Sequence, residues 1–95
     1  MKYIVLEVDI SENNTRLMPF MFSDLMNHDQ FAESVQHNLL MNHKWKSVVS
    51  SAGFCNLFAQ EINCCGESQT LNISSNPERD DRLFAMYNYE HGFIF

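Results

Sequence analysis

The side chains of this sequence most able to do chemistry are its three cysteines, Cys55, Cys64 and Cys65. If the segments that carry them form adjacent antiparallel strands, Cys55 lies nearly opposite the other two and the thiols cluster. The spacing contains no C-x-x-C pair, and neighbouring residues of a strand point to opposite faces, which argues against one shared metal ion. The alternatives are small buried hydrophobic groups, or reactive thiols with a redox or nucleophilic role.

The sequence also contains four histidines, His28, His37, His43 and His91, and no two of them have the spacing of an H-x-x-x-H or H-E-x-x-H metal motif. A nucleophilic pair such as Cys55 with His91 would have to form across space, and nothing in the sequence favours it. The three glycines, at positions 53, 66 and 92, form no phosphate-binding loop. We therefore predict no catalytic, cofactor-binding or metal-binding residues, and we expect the protein not to be an enzyme.

The charge of the chain narrows the classes of ligand. Its 95 residues include 12 acidic and 6 basic side chains, which gives a net charge of -6. This sign repels phosphate backbones and anionic lipid surfaces, so nucleic acid and membranes are disfavoured as partners. It suits either ordinary solubility or docking onto a basic protein surface. A nucleotide ligand would need local basic groups, for which the candidates are Arg16, Lys44, Lys46, Arg79 and Arg82.

Length and hydropathy predict a single domain over residues 1–95 that resides in the cytoplasm. The apolar run at the start is interrupted by Glu7 and is too short for a signal peptide. No apolar run approaches the length of about 20 residues that a membrane helix needs. In the cytoplasm the cysteines are expected to be reduced thiols.

Alternation of apolar and polar residues predicts a β-strand over residues 2–10, with its even-numbered side chains forming the apolar face. Residues 11–16 are polar and predict a long loop, and residues 19–22 predict a short second strand. Pro19 cannot donate a hydrogen bond to a neighbouring strand, which indicates an edge position. The two strands are expected to form a hairpin.

A helix with one apolar face is predicted over about residues 28–40, where apolar residues recur every four positions. Asn27 is suited to cap its N-terminus, and Gln30 stands three residues later, as in a capping box. A second helix is predicted to begin at Asn76-Pro77 and to end near Gly92, since asparagine and proline favour helix starts and glycine favours helix ends.

Strands are predicted over residues 45–58 and 62–73, between the two helices. The apolar phase of the second of these strands changes between Cys64 and Leu71. A pattern with a period of two residues changes face only through a bulge or a bend, and Gly66 is the obvious place for it.

The predicted order is β-β-α-β-β-α, an α+β domain with a four-stranded, mainly antiparallel sheet and two helices packed on one face. This arrangement leaves the other face of the sheet uncovered, with Tyr3 and Val5 on it. An apolar face of that size usually marks an interface, so the sequence predicts a symmetric homodimer.

Two apolar segments are candidates for contact with another protein: Met18, Phe20, Met21 and Phe22 in the first, and Phe93, Ile94 and Phe95 in the second. Methionine and phenylalanine make adaptable contact surfaces, although both segments could equally fill the core of a small domain. The terminal segment favours contact more strongly, because chain ends fray unless something holds them.

Several short motifs resemble a group of small phage and prophage proteins that has no established activity. The motifs are Pro19-Phe20-Met21-Phe22, Asn27-His28, Ser51-Ala52-Gly53-Phe54-Cys55, Cys65-Gly66-Glu67-Ser68, Leu71-Asn72-Ile73 and Pro77-Glu78-Arg79-Asp80. The chain departs from the pattern of the group at Asn76, where arginine is usual, and over residues 41–46, which look inserted. The resemblance implies a viral or prophage origin and a small accessory role, and it supplies no catalytic residues.

Three functions remain open at this point. The first is a small acidic phage or prophage protein that binds a host protein in the host cytoplasm and inhibits it, a defence protein being one target. The second is a protein that binds a small molecule such as a signalling nucleotide. The third is an enzyme that depends on Cys55, Cys64 or Cys65.

Overall fold

A computed structural model of the chain describes residues 1–58 and 61–91, with the side chains of 57, 58 and 88–91 left undescribed. The predicted contact segment Phe93, Ile94 and Phe95 lies outside the described residues, as does the predicted cap Gly92. The elements, in chain order, are β1 (Lys2–Ser11), β2 (Asn14–Phe22), α1 (His28–His43), β3 (Lys46–Phe58), β4 (Glu61–Cys65), β5 (Glu67–Ser68), β6 (Ile73–Ser74) and α2 (Pro77–His91).

The first four strands form one antiparallel sheet in the order β2-β1-β3-β4, and β5 pairs with β6 in a separate ribbon. This confirms the predicted α+β class and the four-stranded antiparallel sheet. β1 lies between two strands, and its residues Tyr3 to Leu6 are fully buried. Because successive strand residues alternate between the two faces, a strand buried at four consecutive positions must be covered on both sides.

The hairpin of β1 and β2 is tighter than predicted. Ser11 pairs with Asn14, so the loop has two residues where the sequence predicted a loop over 11–16. The polar residues Asn14, Thr15 and Arg16 belong to β2, and their exposure explains why the apolar pattern did not reveal them. β2 is an edge strand of the sheet, which confirms the edge position predicted from Pro19.

The first helix, α1, begins at the predicted position and extends three residues beyond the predicted end. Asn27 occupies the cap with extended backbone, yet its side chain makes no capping hydrogen bond. The helix ends where Lys44 adopts a left-handed conformation with φ of 60° and donates its N–H to the carbonyl of Leu40.

The two helices pack on opposite faces of the sheet, and the prediction that both cover one face is wrong. Ala32 of α1 packs in a core cluster with Ile4 and Leu6. Phe84 of α2 packs in a second cluster with Tyr3 and Val5, and its ring meets that of Tyr3 edge to face at 5.6 Å. The physical reason is that β1 carries large apolar side chains on both faces, so each face requires a cover.

The predicted strand over 62–73 is interrupted. β4 ends at Cys65, and Gly66 follows with φ of 78°, a conformation that favours glycine. Gly66 is therefore the point at which the regular strand ends, as the phase change indicated. The chain then forms the β5–β6 ribbon, with Asn72 also at positive φ, and Leu71 and Ile73 pack toward the α1 side.

Neither of the two helices is long and apolar enough, over the residues described, to cross a membrane.

Candidate functional site

The three cysteines occupy two different environments. Cys55 of β3 pairs directly with Cys64 of β4, which confirms the predicted proximity, and both are buried on the α2 side. Cys65 is exposed, as expected for the neighbour of a buried strand residue. Burial raises the pKa of the Cys55 thiol to about 11. It also raises that of Cys64 well above its usual range, with a further contribution from a hydrogen bond to Asp81. A raised pKa keeps a thiol protonated and therefore weakly nucleophilic.

His28 and His43 pack against other side chains of the protein. His28 is buried, its Nε2 lies 2.8 Å from the carbonyl oxygen of Gly53, and its ring contacts Phe22 and Phe54 edge to face. His43 stacks on Trp45. The side chain of His91 is not described, so a pairing with Cys55 stays untested. Within residues 1–58 and 61–91, no three His, Cys, Asp or Glu side chains come together as a metal site.

Asp80 of α2 is the centre of a buried polar network. Its carboxylate accepts hydrogen bonds from the hydroxyls of Tyr3 at 2.6 Å and Ser51 at 2.7 Å. It also accepts one from the backbone N–H of Asn76 at 3.1 Å and forms an ion pair with Arg79 at 3.1 Å. This role is not evident from the sequence, because Tyr3 and Ser51 lie far from Asp80 in the chain.

Arg79 extends the network to β3, donating to the hydroxyls of Ser50 at 2.9 Å and Ser51 at 3.0 Å. Asp80 is fully buried, and all of its hydrogen-bond partners belong to the protein. A buried carboxylate satisfied in this way positions one element against another and has no open side for a substrate. We therefore assign the network to the docking of α2.

The first apolar segment predicted to form a contact surface packs against the protein itself. Phe22 is buried in the α1-side cluster, where its ring stacks on Phe31 with centroids 4.1 Å apart. Met18 and Phe20 pack on the same cluster, and Met21 packs on the α2-side cluster. Phe22 belongs to the core, and the other three side chains are partly buried against it, because β2 contributes to both faces of the sheet. Contact of this segment with another protein stays a prediction.

An open groove of about 660 Å³ runs between α1 and the first part of β3. We call it the β3 groove. Its walls carry apolar, acidic and amide side chains together: Glu7, Asp9, Glu33, Gln36, His37, Leu40, Trp45, Lys46, Ser47 and Val48. Leu40 is 46% exposed and Val48 is 61% exposed, so large apolar groups are presented to solvent here.

The β3 groove exists because β4 is short. β4 pairs with β3 only from Phe54 to Phe58, whereas β1 pairs with it from Lys46 to Phe54. Over the part of the chain that the structure describes, the segment from Lys46 to Val49 therefore has a strand on one side only. The side-chain amide of Gln36 donates to the carbonyl of Ser47 at 3.0 Å on α1's side of β3. The Ser47 hydroxyl is buried and has no hydrogen-bond partner in the described structure.

A second, smaller cleft of about 550 Å³ lies beside His28 and is lined by Phe54 and by the turn that contains Glu67 and Thr70. Lys2 is the basic side chain in its wall. Its ammonium group donates to the carbonyl of Met26 at 3.0 Å, and the carboxylate of Glu67 stands in the same cleft. The cleft therefore offers an anionic ligand little uncompensated positive charge.

Comparison of the chain with protein-family models, with curated proteins and with solved structures finds no match.

Proposed function

We propose that this protein acts by binding another protein, and that the β3 groove is its contact surface. The observation that carries the proposal is the coincidence, in one groove, of exposed apolar side chains, carboxylates and an unpaired stretch of strand. Protein interfaces combine an apolar centre with a polar rim, and Leu40 and Val48 with the flanking Glu7, Asp9 and Glu33 supply both. Exposed apolar groups rimmed by polar ones mark such contacts.

The partner that fits the proposal is a host protein with a basic surface. The resemblance to phage and prophage proteins supports a host cell as the setting, and the net charge of -6 supports a basic partner. Inhibition of a host defence protein is the form of action that we propose for such a pair, since a small protein with no enzymatic role can act by occupying a surface.

A nucleotide-binding function has less support. Of the five basic side chains considered for it, Arg79 bonds Asp80 and Ser50, and Arg82 pairs with Glu78 at 3.1 Å. A cysteine enzyme has less support as well, because Cys55 and Cys64 are buried and have a raised pKa.

One of the features from which a homodimer is predicted is an uncovered sheet face with Tyr3 and Val5, and α2 covers these two residues. A homodimer through the β3 groove would also place two acidic rims together, which is unfavourable. We therefore propose a partner of different sequence for this groove.

The test replaces the apolar centre of the groove with charge. The variant Leu40→Lys/Val48→Lys and the control Met86→Lys are compared with the unchanged protein as baits in bacterial lysate, with bound proteins quantified by mass spectrometry. Met86 is 47% exposed on α2 and does not line the groove, so its substitution places a lysine at a similarly exposed apolar position outside the groove. We expect the groove variant to lose partners that the Met86 variant retains. Equal recovery by all three baits would contradict the proposal.

A further inference from the structure

We infer that the β3 groove binds an extended, basic segment of its partner by adding it as a strand alongside residues Lys46 to Val49. This inference rests on the proposed function and specifies the binding mode and the chemistry of the ligand. It follows from the backbone of β3, from its position beside α1 and from the charges around the groove.

The backbone of β3 provides the template. The ladder to β1 uses one edge of the strand, and along Lys46 to Val49 no described strand pairs with the other edge. Donors and acceptors alternate between the two edges of a strand, so the N–H and C=O of Val49 face the same way as those of Ser47. Unpaired edge groups of this kind recruit an extended peptide through main-chain hydrogen bonds.

Gln36 shows which way the Ser47 carbonyl faces. Its side-chain amide, from α1, donates to that carbonyl at 3.0 Å and stands in for one hydrogen bond of an absent neighbouring strand. An incoming strand would replace this amide with a backbone N–H. The Ser47 hydroxyl, buried without a partner, lies in the same wall. Ser47 therefore has one polar group at this edge bonded to a side chain, which a backbone N–H could replace, and one polar group without a partner in the described structure.

The side chains around the edge select a basic segment with alternating apolar residues. Glu7 and Asp9 line the groove from β1, and Glu33 lines it from α1, against the one lysine there, Lys46. A strand laid along the edge presents alternate side chains to opposite faces. Val48 and Leu40 then offer apolar contact, while the carboxylates favour lysine or arginine at the remaining positions.

The test uses an acetylated, amidated nine-residue peptide of alternating lysine and valine, titrated into the full chain labelled with ¹⁵N. We expect chemical-shift changes centred on Lys46 to Val49 and on Gln36. A peptide in which glutamate replaces lysine should not bind. Glu7→Gln together with Glu33→Gln should weaken the lysine peptide about fivefold, as expected for two exposed ion pairs. The control Glu12→Gln, in the β1–β2 turn and outside the groove, should leave affinity unchanged.

Backbone methylation of the peptide isolates strand addition from side-chain contact. One peptide carries N-methyl groups at odd positions and another carries them at even positions, with identical side chains. Only one of the two sets faces β3 in an added strand, so we expect one peptide to lose about tenfold in affinity and the other to keep it.

The outcomes separate the inference from the function on which it rests. If the peptide binds in the groove and neither methylated form differs from it, or if no lysine peptide binds while the Leu40→Lys/Val48→Lys bait still loses its partners, strand addition is overturned and the contact surface stands. If the groove variant retains every partner, the proposed function itself fails.

Discussion

The two sides of the central sheet are built on different principles. On the α1 side, an aliphatic cluster is joined by aromatic contacts, with Phe22 stacked on Phe31 and His28 held between Phe22 and Phe54. On the α2 side, the apolar contact of Tyr3 with Phe84 is accompanied by the buried carboxylate of Asp80 and its network of hydrogen bonds.

This contrast indicates how each helix is held on the sheet. Apolar packing is non-directional and accepts small shifts of a helix along the sheet. A buried carboxylate is satisfied only when all of its hydrogen-bond partners are in place together, which fixes the position of the helix that carries it. We therefore infer that α2 has a single docked position set by Asp80, whereas α1 is held mainly by apolar packing, with one hydrogen bond to β3 from each of His28 and Gln36. α1 also forms one wall of the β3 groove.

Among the variants proposed here, Asp80→Ala is expected to have the largest effect on stability. The change leaves the Tyr3 and Ser51 hydroxyls buried without their acceptor and leaves Arg79 without its ion-pair partner. We expect the free energy of unfolding to fall by about 3–5 kcal/mol, measured by urea denaturation. The control Glu78→Ala removes the same charge from an exposed position of the same helix and should show no comparable loss. Similar losses in the free energy of unfolding for the two variants would contradict the assignment of the network to the docking of α2.

A substitution at Gly66 tests the α1 side through the backbone. Gly66 has φ of 78°, and an added Cβ would lie 3.2 Å from the ring of Phe54. Gly66→Val should lower the free energy of unfolding by about 2 kcal/mol, mainly because a β-branched residue is strained at this φ. Gly66→Asn should be tolerated better, since asparagine visits the left-handed region more readily. Equal losses for both variants would place the effect in the contact with Phe54.

Alkaline pH should weaken the α2 side selectively. The Cys55 thiol has its pKa raised from 9.0 to about 11, so above pH 9 the unfolded chain loses this proton while the folded chain keeps it. Ionisation then favours the unfolded state, and stability falls as pH rises from 9 to 11. We expect Cys55 to account for about 1–2 kcal/mol of that loss.

Denaturation curves at pH 8, 9, 10 and 11 measure the slope of the free energy of unfolding against pH. Cys55→Ala should make it shallower, whatever its effect at pH 8. Cys65→Ala, at the exposed cysteine on the other face, is the control and should leave the slope as it was. A slope that does not change in Cys55→Ala would contradict the prediction.

Tyr3→Phe separates the two interactions of Tyr3 on the α2 side, which are the ring contact with Phe84 and the hydrogen bond to Asp80. The substitution keeps the ring against Phe84 and removes the hydroxyl that donates to Asp80 at 2.6 Å. We expect a loss of about 1.5 kcal/mol in urea unfolding, at the lower end of the usual contribution of a hydrogen bond to a charged group. A loss as large as that of Asp80→Ala would mean that this single bond carries most of the network.

The smallest effect is expected in the groove. Val48→Lys changes a side chain that is 61% exposed, and it should alter the free energy of unfolding by no more than about 0.5 kcal/mol. A larger loss, seen in the same urea experiments, would show that Val48 contributes to folding and would complicate its use as a binding variant.

Local patterns predicted the elements better than their arrangement. Alternation along β1 and the proline at position 19 were enough to predict the central strand and its edge partner. The side on which α2 packs was missed, because Tyr3 and Val5 were expected to be covered by a second copy of the chain and not by α2. Which face of the sheet a helix covers depends on all the apolar surfaces that could pack on that face, and these come from the whole chain.

The candidate site was largely beyond prediction from sequence. The β3 groove arises because β4 stops at Cys65, and its walls come from β1, α1 and β3, which only the folded chain brings together. The phase change near Gly66 was the one local signal that the neighbouring strand would end early. The role of Asp80 depends on Tyr3, 77 residues away, and on Ser51, 29 residues away, so no local pattern indicates it.

The central place of β1 has a consequence for how the chain folds as it is synthesised. Its neighbour β2 follows after a two-residue turn, whereas its other neighbour, β3, begins only at Lys46. Phe84 of α2, which covers Tyr3 and Val5, emerges from the ribosome later still. For that interval the most apolar strand of the protein has one paired edge and one open edge. Early hairpin formation is therefore the step that protects the nascent chain from aggregation, and the tight Glu12-Asn13 turn is where slow closure would do the most harm.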